Sequence, residues 1–228
     1  MLALVPARGG SKGLPGKNLA IFNGLPLVAH TVGTALEANL VDRVFVSTDC
    51  DKIQAAALDA GASSLGLRPS HLAADESAAI DVYIYFLDEF EQRFGTRLDS
   101  ILILQPTSPL RVSLDVDRAI ELFERTKADS VVAYTESKQP LSWHKKVDGD
   151  GKLISIFEES KLNRQHYERT FYPNGAIYIF KTALLRSGHY YSEASYAYVM
   201  PWERSIDIDF EADLNLAELL SSSSKSSF

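Results

Sequence analysis

Cysteine is nearly absent: Cys50 stands alone in 228 residues, so no internal disulfide can form and the chain must be held by packing. A lone thiol suits a reducing compartment, and a cytoplasmic location is expected. Long apolar runs are also missing. None approaches the ~20 residues needed to cross a bilayer. The apolar start is five residues long before it meets Pro6 and Arg8, which is not the pattern of a secretory signal. The five histidines are scattered without metal-ligand spacing, which argues against a histidine-built metal centre. There is no basic excess: the formal net charge is −7, which argues against a broad polyanion-binding surface and a nucleic-acid partner. One local absence runs the other way. No acidic side chain precedes Glu37, whereas Arg8, Lys12 and Lys17 all fall before it. A cationic start on an acidic chain points to a site for one small anion.

With 46% hydrophobic and 23% charged residues, the chain can build one α/β domain with its own core. Short apolar runs at Met1–Pro6, Arg43–Ser47, Ser100–Leu104 and Asp129–Tyr134 read as strands. Helical spacing occupies Pro26–Leu40, Asp51–Ala60, Ser77–Phe94 and Ser113–Lys127, with Gly61 and Gly95 as stops. This alternation predicts a mostly parallel sheet with helices on both faces. The rhythm breaks after Glu136. Asp148-Gly149-Asp150-Gly151 predicts a hairpin inside an excursion at about 138–172, and strand patterning returns at Gly175–Phe180. A final helix is expected at Glu211–Leu220. Residues 1–220 then form one domain, and the Ser-rich tail 221–228 is expected to be disordered.

Four segments can carry chemistry. Ala7–Asn18 (ARGGSKGLPGKN) follows the first strand. Its glycines at 9, 10, 13 and 16 let backbone N–H groups approach a ligand, and three long cations suit a triphosphate. The spacing is neither the Rossmann G-x-G-x-x-G nor a P-loop, where Ser11 and Asn18 stand in place of the required Gly and hydroxyl. In Ser205–Asp209 (SIDID), Asp207 and Asp209 are two apart, so an extended backbone puts both carboxylates on one side, about 6–7 Å apart. Such a pair can hold one or two Mg²⁺ ions with phosphate oxygens completing the shell. Gln105–Arg111 (QPTSPLR) follows the third strand and faces the same crevice as the first loop. Asn174–Tyr178 (NGAIY) enters the late strand. Ser47-Thr48-Asp49 reads only as the cap of the next helix.

Together ARGGSKGLPGKN (Ala7–Asn18), VSTD (Val46–Asp49), LQPTSPLR (Leu104–Arg111), NGAIYI (Asn174–Ile179) and DIDFEADL (Asp207–Leu214) resemble the acylneuraminate cytidylyltransferases, also called CMP-sialic acid synthetases. The motifs stand in the family's order and span residues 3 to about 220. Kdo cytidylyltransferases share the fold, but their first loop lacks the K-N-L ending seen at Lys17-Asn18-Leu19. The resemblance implies a Rossmann-like nucleotidyltransferase fold, a homodimer, and a dimerisation role for the excursion. It places Ala7, Arg8, Gly9, Ser11, Lys12, Lys17, Asn18 and Arg68 on CTP, and Gln105, Arg164, Asn174 and Tyr178 on the sugar. Arg8, Lys17, Asp207 and Asp209 become the catalytic set, with Asp207 and Asp209 holding Mg²⁺. Three departures lie on the sugar side: Ala79 where relatives often carry a hydroxyl, Tyr172 before Pro173-Asn174-Gly175, and Tyr190 and Tyr191 in place of less polar aromatics. They leave room for a nine-carbon acid other than sialic acid, such as legionaminic or pseudaminic acid.

The expected reaction is attack of the anomeric hydroxyl of a nine-carbon 2-keto sugar acid on the α-phosphorus of CTP, releasing pyrophosphate. The competing readings are a nucleotidyltransferase for another sugar, Kdo or a hexose 1-phosphate, and a non-catalytic CTP-binding dimeric scaffold. The Asp207/Asp209 pair speaks against the second.

Overall fold

The apolar runs form strands whose alternate residues enter two different cores. Ala3, Val5, Val44, Val46, Leu102, Leu104, Val131 and Ala133 face one side of the sheet, while Leu4, Phe45, Ile101, Ile103 and Val132 face the other. Continuous hydrophobicity is what burial on both faces requires. The computed structural model describes residues 1–157 and 168–225. The strands are β1 (Leu2–Pro6), β2 (Ile21–Phe22), β3 (Leu25–Pro26), β4 (Arg43–Ser47), β5 (Ser63–Ser64), β6 (Ser100–Ile103), β7 (Ser130–Glu136), β8 (Lys145–Val147), β9 (Leu153–Ser155), β10 (Phe171–Lys181) and β11 (Ser195–Val199). The helices are α1 (Leu27–Leu36), α2 (Asp51–Asp59), α3 (Ala79–Phe94), α4 (Ser113–Thr126), α5 (Thr182–Arg186) and α6 (Glu211–Lys225).

Seven strands make one sheet in the order β11-β7-β10-β6-β1-β4-β5. Only β10 runs antiparallel to its neighbours, so the sheet is mostly parallel. Helices α1, α2 and α4 pack on one face through Val28, Val32, Ile53, Ala57, Val116 and Ile120. On the other face α3 and α5 supply Val82, Phe86, Leu87, Phe90 and Leu185. Among the described residues no helix is long and apolar enough to cross a membrane. The chain moves from β1 to β4 on one side and later returns to β6 on the other, so the strand order reverses at β1. The crevice beyond the carboxyl end of β1 is where an open α/β sheet binds its ligand.

Several boundaries differ from expectation. Helix α1 stops at Leu36 rather than Leu40, and α3 starts at Ala79 rather than Ser77. Strand β10 begins at Phe171, not Gly175, because Phe171–Pro173 pair with Tyr134–Glu136 before a register shift. The excursion is therefore closed by β7 and β10 pairing at its base. Within it β8 and β9 form the expected hairpin. Helix α6 runs to Lys225 rather than stopping at Leu220, and residues 226–228 of the expected tail lie outside the described residues. Strand β11, half-exposed along its length at the sheet edge, carries no apolar run and was not expected.

Candidate active site

The glycine-rich loop leaves β1 and is fastened at three points. Ala7 N–H donates to Ser47 O at 3.0 Å, and Gly9 N–H donates to Asp49 Oδ1 at 2.9 Å. Buried Asn18 reaches back to donate its Nδ2 to Arg8 O at 2.8 Å. Gly13 lies against the backbone of Asp209, where a Cβ would collide with the Asp209 carbonyl oxygen. The absence of a side chain at Gly13 therefore lets the loop dock on the carboxylate segment. Gly16, at φ 67, turns the chain into the short helical turn that carries Lys17.

The second segment is positioned by Ile208. Its side chain is fully buried with Phe22, Leu27 and Ala217, and its N–H donates to Thr107 O at 2.8 Å. Asp207 and Asp209 flank this anchor. Lys17 Nζ pairs with Asp209 Oδ1 at 2.8 Å. Desolvation pushes the Asp207 carboxyl above the usual carboxylate range; the Asp209 charge adds to this, while the Thr107 hydroxyl and Lys17 oppose it. Asp213 caps α6, accepting from Asp209 N at 3.0 Å and Phe210 N at 2.8 Å. Among the described residues no group of three or more His, Cys, Asp or Glu forms a metal cage. A cation on Asp207 and Asp209 would draw its remaining ligands from substrate oxygens or water, the habit of Mg²⁺. Two carboxylates flanking one buried anchor, the Asp207 one desolvated, are a hard-oxygen donor set of the kind such an ion takes.

A cavity of about 340 Å³ lies over the first of these segments; Asp207 and Asp209 are not in its lining but adjoin it through their partners Thr107 and Lys17. Arg8, Ser11, Lys17, Asn18, Arg68 and Gln105 line it. Arg68 is buried, with Nε lacking a partner among the described residues. Burial lowers its pKa, and the charge of Asp49 opposes that shift. A second cavity of about 230 Å³ shares Ala79, Tyr83 and Gln105 with the first and continues to Tyr178, Tyr190 and Tyr191. Tyr178 is pushed up to about 12, first by burial and then by the charge of Asp207, which places the carboxylate beside this second space. Two adjoining compartments, one lined by cations and one by tyrosines, thus meet near one carboxylate pair.

Some expected contacts stand elsewhere. Ala7 is buried at the strand end, and Gly9 is held by Asp49; neither lines the first cavity. Lys12 is at the rim, its Nζ 2.9 Å from Asp75 Oδ2, while Arg8 Nη1 is 2.8 Å from the other oxygen. Asn174 does not face the sugar compartment. Its Nδ2 donates to Ser205 Oγ at 2.8 Å and contacts Met200 Sδ at 3.4 Å, and its Oδ1 accepts from Ala176 N at 3.1 Å. Both ends of the amide are engaged inside the protein, so Asn174 braces the start of the strand. Arg164 lies outside the described residues. Asp49 does not cap α2; it reaches across to the first loop, and Thr48 Oγ1 accepts from Cys50 N instead.

Sequence reasoning missed Asp75, Tyr83 and Thr107 as site residues. Tyr83 shares helical spacing with Val82, Phe86 and Phe90 and reads as core, which it also is. Thr107 sits inside a motif already singled out, but its partner Asp207 is a hundred residues away. Asp75 carries no local signal at all.

The sequence matches the cytidylyltransferase family over residues 2–222. The chain belongs to this family. It is 36% identical to the CMP-N,N'-diacetyllegionaminic acid synthase of Legionella pneumophila, over 96% of this chain and 95% of that one. It is 33% identical to an N-acylneuraminate cytidylyltransferase of Streptococcus agalactiae serotype V, over 93% of this chain and 51% of the relative. With the corresponding enzyme of Escherichia coli O18:K1:H7 the identity is 36%, over 95% and 51%. The chain thus spans about half the length of the N-acylneuraminate cytidylyltransferases it matches. A solved CMP:2-keto-3-deoxy-manno-octonic acid synthetase complexed with CTP has the same fold, with TM-score 0.72 over 98% of each chain at 17% identity.

Proposed function

We propose that this chain transfers CMP from CTP to the anomeric hydroxyl of a nine-carbon 2-keto sugar acid, releasing pyrophosphate. The observation that carries the reading is the pair of adjoining compartments: Arg8, Lys17 and Arg68 in one, tyrosines in the other, with Asp207 and Asp209 close by. CTP occupies the first compartment, its phosphates on Arg8, Lys12, Lys17 and the loop N–H groups. The sugar acid occupies the second, against Gln105 and Tyr178. The hydroxyl oxygen forms a bond to the α-phosphorus, the bond to the β-phosphate oxygen breaks, and the hydroxyl proton is taken up at the carboxylate pair. Lys17 and Arg8 balance charge developing on the pyrophosphate, so rate comes mainly from positioning and electrostatics. Asp207 and Asp209 would hold Mg²⁺, which when bound would supply charge neutralisation and lower the pKa of the attacking hydroxyl.

The relatives' names support a sialic- or legionaminic-type acid, and a second compartment lined by the polar aromatics Tyr178, Tyr190 and Tyr191 suits the polar substituents of such an acid. We assign the hairpin β8–β9 to a homodimer contact and place the reaction in the cytoplasm, where CTP is available. Incubation with CTP, Mg²⁺ and a panel of sialic, legionaminic and pseudaminic acids, Kdo and a hexose 1-phosphate tests the proposal. Pyrophosphate release with a nine-carbon acid is expected. Release only with Kdo or the hexose phosphate would overturn the substrate class, and release with none of them would overturn the catalytic reading.

A further inference from the structure

Arg111 is the largest side chain that is fully buried among the described residues. Its Nη1 donates to Ala176 O at 2.6 Å and to Gln105 O at 3.3 Å, and its Nε is buried without a partner. It makes no ion pair among the described residues. The neighbouring carboxylate, Asp115, is already engaged by Arg204 at 2.9 and 3.0 Å and by the Tyr198 hydroxyl at 2.9 Å. Burial pulls the guanidinium down to about 10, which still leaves it charged at neutral pH. A buried cation satisfied mainly by carbonyls is costly, and an apolar side chain of similar volume would fill the space without that cost. Packing alone does not account for it.

The two carbonyls it holds suggest why it is there. The ladder between β6 and β10 runs from Lys181↔Ser100 to Tyr178↔Ile103 and then stops, and β10 shifts register between Pro173 and Tyr178. Gln105 and Ala176 lie just past that last pair, where the strands part to open the cleft. Arg111 supplies there the donors that the ladder no longer provides. Between the parted segments sits Gly175, at φ 78, where an added Cβ would lie 3.2 Å from Gln105 Oε1, 3.3 Å from Ser108 Oγ and 3.5 Å from Asp207 Cγ. Three parts of the candidate site therefore converge on the junction that Arg111 bridges.

We propose that Arg111 is a positioning residue for the sugar half of the site: its buried Nη1, donating to both carbonyls, clamps the ends of β6 and β10 and so sets Gln105 and Asp207 relative to each other. This rests on the reading that the sugar acid lies against Gln105. The nucleotide half meets the clamp only at its Gln105–Thr107 border, because its cations Arg8 and Lys17 follow β1 and Arg68 follows β5.

Two variants test the clamp, Arg111→Lys, which keeps charge and donors on a shorter side chain, and Arg111→Met, which is apolar and removes both charge and donors. In Arg111→Met the KM for the sugar acid is expected to rise by about tenfold or more, since small misplacements near a reacting centre are costly. The Kd for CTP, by calorimetry, should stay within about twofold, and Arg111→Lys should recover part of the acid KM. Unchanged acid KM, or equal weakening toward CTP and acid, would overturn the proposal. If Arg111→Met does not fold, the same comparison is made on Arg111→Lys, which should show the smaller acid-only defect. Hydrogen exchange needs no substrate: in Arg111→Lys, faster exchange confined to residues 104–108 and 174–177 supports the clamp, and exchange there equal to wild type refutes it. Failure of the wild-type protein to use any acid would count against the proposed function, whereas the exchange result bears on Arg111 alone.

Discussion

Each of the three loop cations is already paired. Lys17 is on Asp209, and Arg8 and Lys12 share the two oxygens of Asp75, whose carboxyl is held below its usual range chiefly by Lys12. Asp75 lines the first cavity, so in this state it stands where a phosphate would bring competing negative charge. Removing that charge without changing shape should favour CTP. For Asp75→Asn the KM for CTP is expected to fall by roughly two- to fivefold, because exposed ion pairs are individually weak. The gain should shrink as salt is raised from low to physiological ionic strength. A rise in KM would mean that Asp75 organises the cations instead of competing for them. Asp209 makes the opposite case, since its carboxylate is assigned to the reaction itself. Asp209→Ala should lower kcat by about 10²–10³ while CTP binding survives, because the substitution frees Lys17 for phosphate. Stopped-flow or coupled pyrophosphate assays alongside calorimetric CTP titration separate the two quantities, and full turnover would remove Asp209 from the catalytic set.

At the scale of elements, the site depends on short segments meeting across large sequence distances. Gly175→Ala introduces a side chain at φ 78 and within 3.3 Å of both Gln105 Oε1 and Ser108 Oγ. A non-glycine residue in such a conformation costs about 1–3 kcal/mol, so denaturant titration should show a loss of that order, with impaired sugar-acid turnover. A stability equal to wild type would show that the strand entry relaxes freely. The same distances explain what was legible in the sequence. β1, β4, β6 and β7 declared themselves because burial on both faces leaves no polar interruption, as in Leu-Ala-Leu-Val and Ser-Ile-Leu-Ile. β11, with Tyr196 and Val199 exposed at the edge, offers no such run and is held by pairing with β7. Gly13, Asp207 and Asp209 were legible as motif residues, but not the docking of Gly13 on the Asp209 carbonyl. The internal partners of Asn174, namely Ala176, Met200 and Ser205, were not legible, because two of them lie in a distant segment. Asp49 was misassigned for a related reason: a local cap is visible in sequence, and a bond to Gly9 forty residues away is not.

At the scale of the whole molecule, the hairpin β8–β9 stands outside the seven-stranded sheet. Among the described residues the two strands pair only with each other, and an isolated two-stranded hairpin is marginal in water. Its apolar side chains are nonetheless outward: Val147 and Leu153 stand opposite each other at 65% and 66% exposure, with Trp143 and Ile154 also exposed. Apolar groups gathered on a projecting ribbon are what a partner surface covers, and this is the physical support for the proposed homodimer. If the ribbon seats on a second copy, Val147→Asp with Leu153→Asp places two carboxylates directly across a strand pair, where like charges repel, and buries them in the contact. Sedimentation should then show a monomer, while the main sheet, which the ribbon does not enter, keeps its thermal transition. Comparison of CTP binding and turnover in that monomer separates two roles for the ribbon. Retained CTP affinity with lost turnover would make assembly a requirement of the sugar half of the site. Wild-type protein sedimenting as a monomer at assay concentrations would remove the dimer from the proposal and leave the exposed ribbon free for another partner.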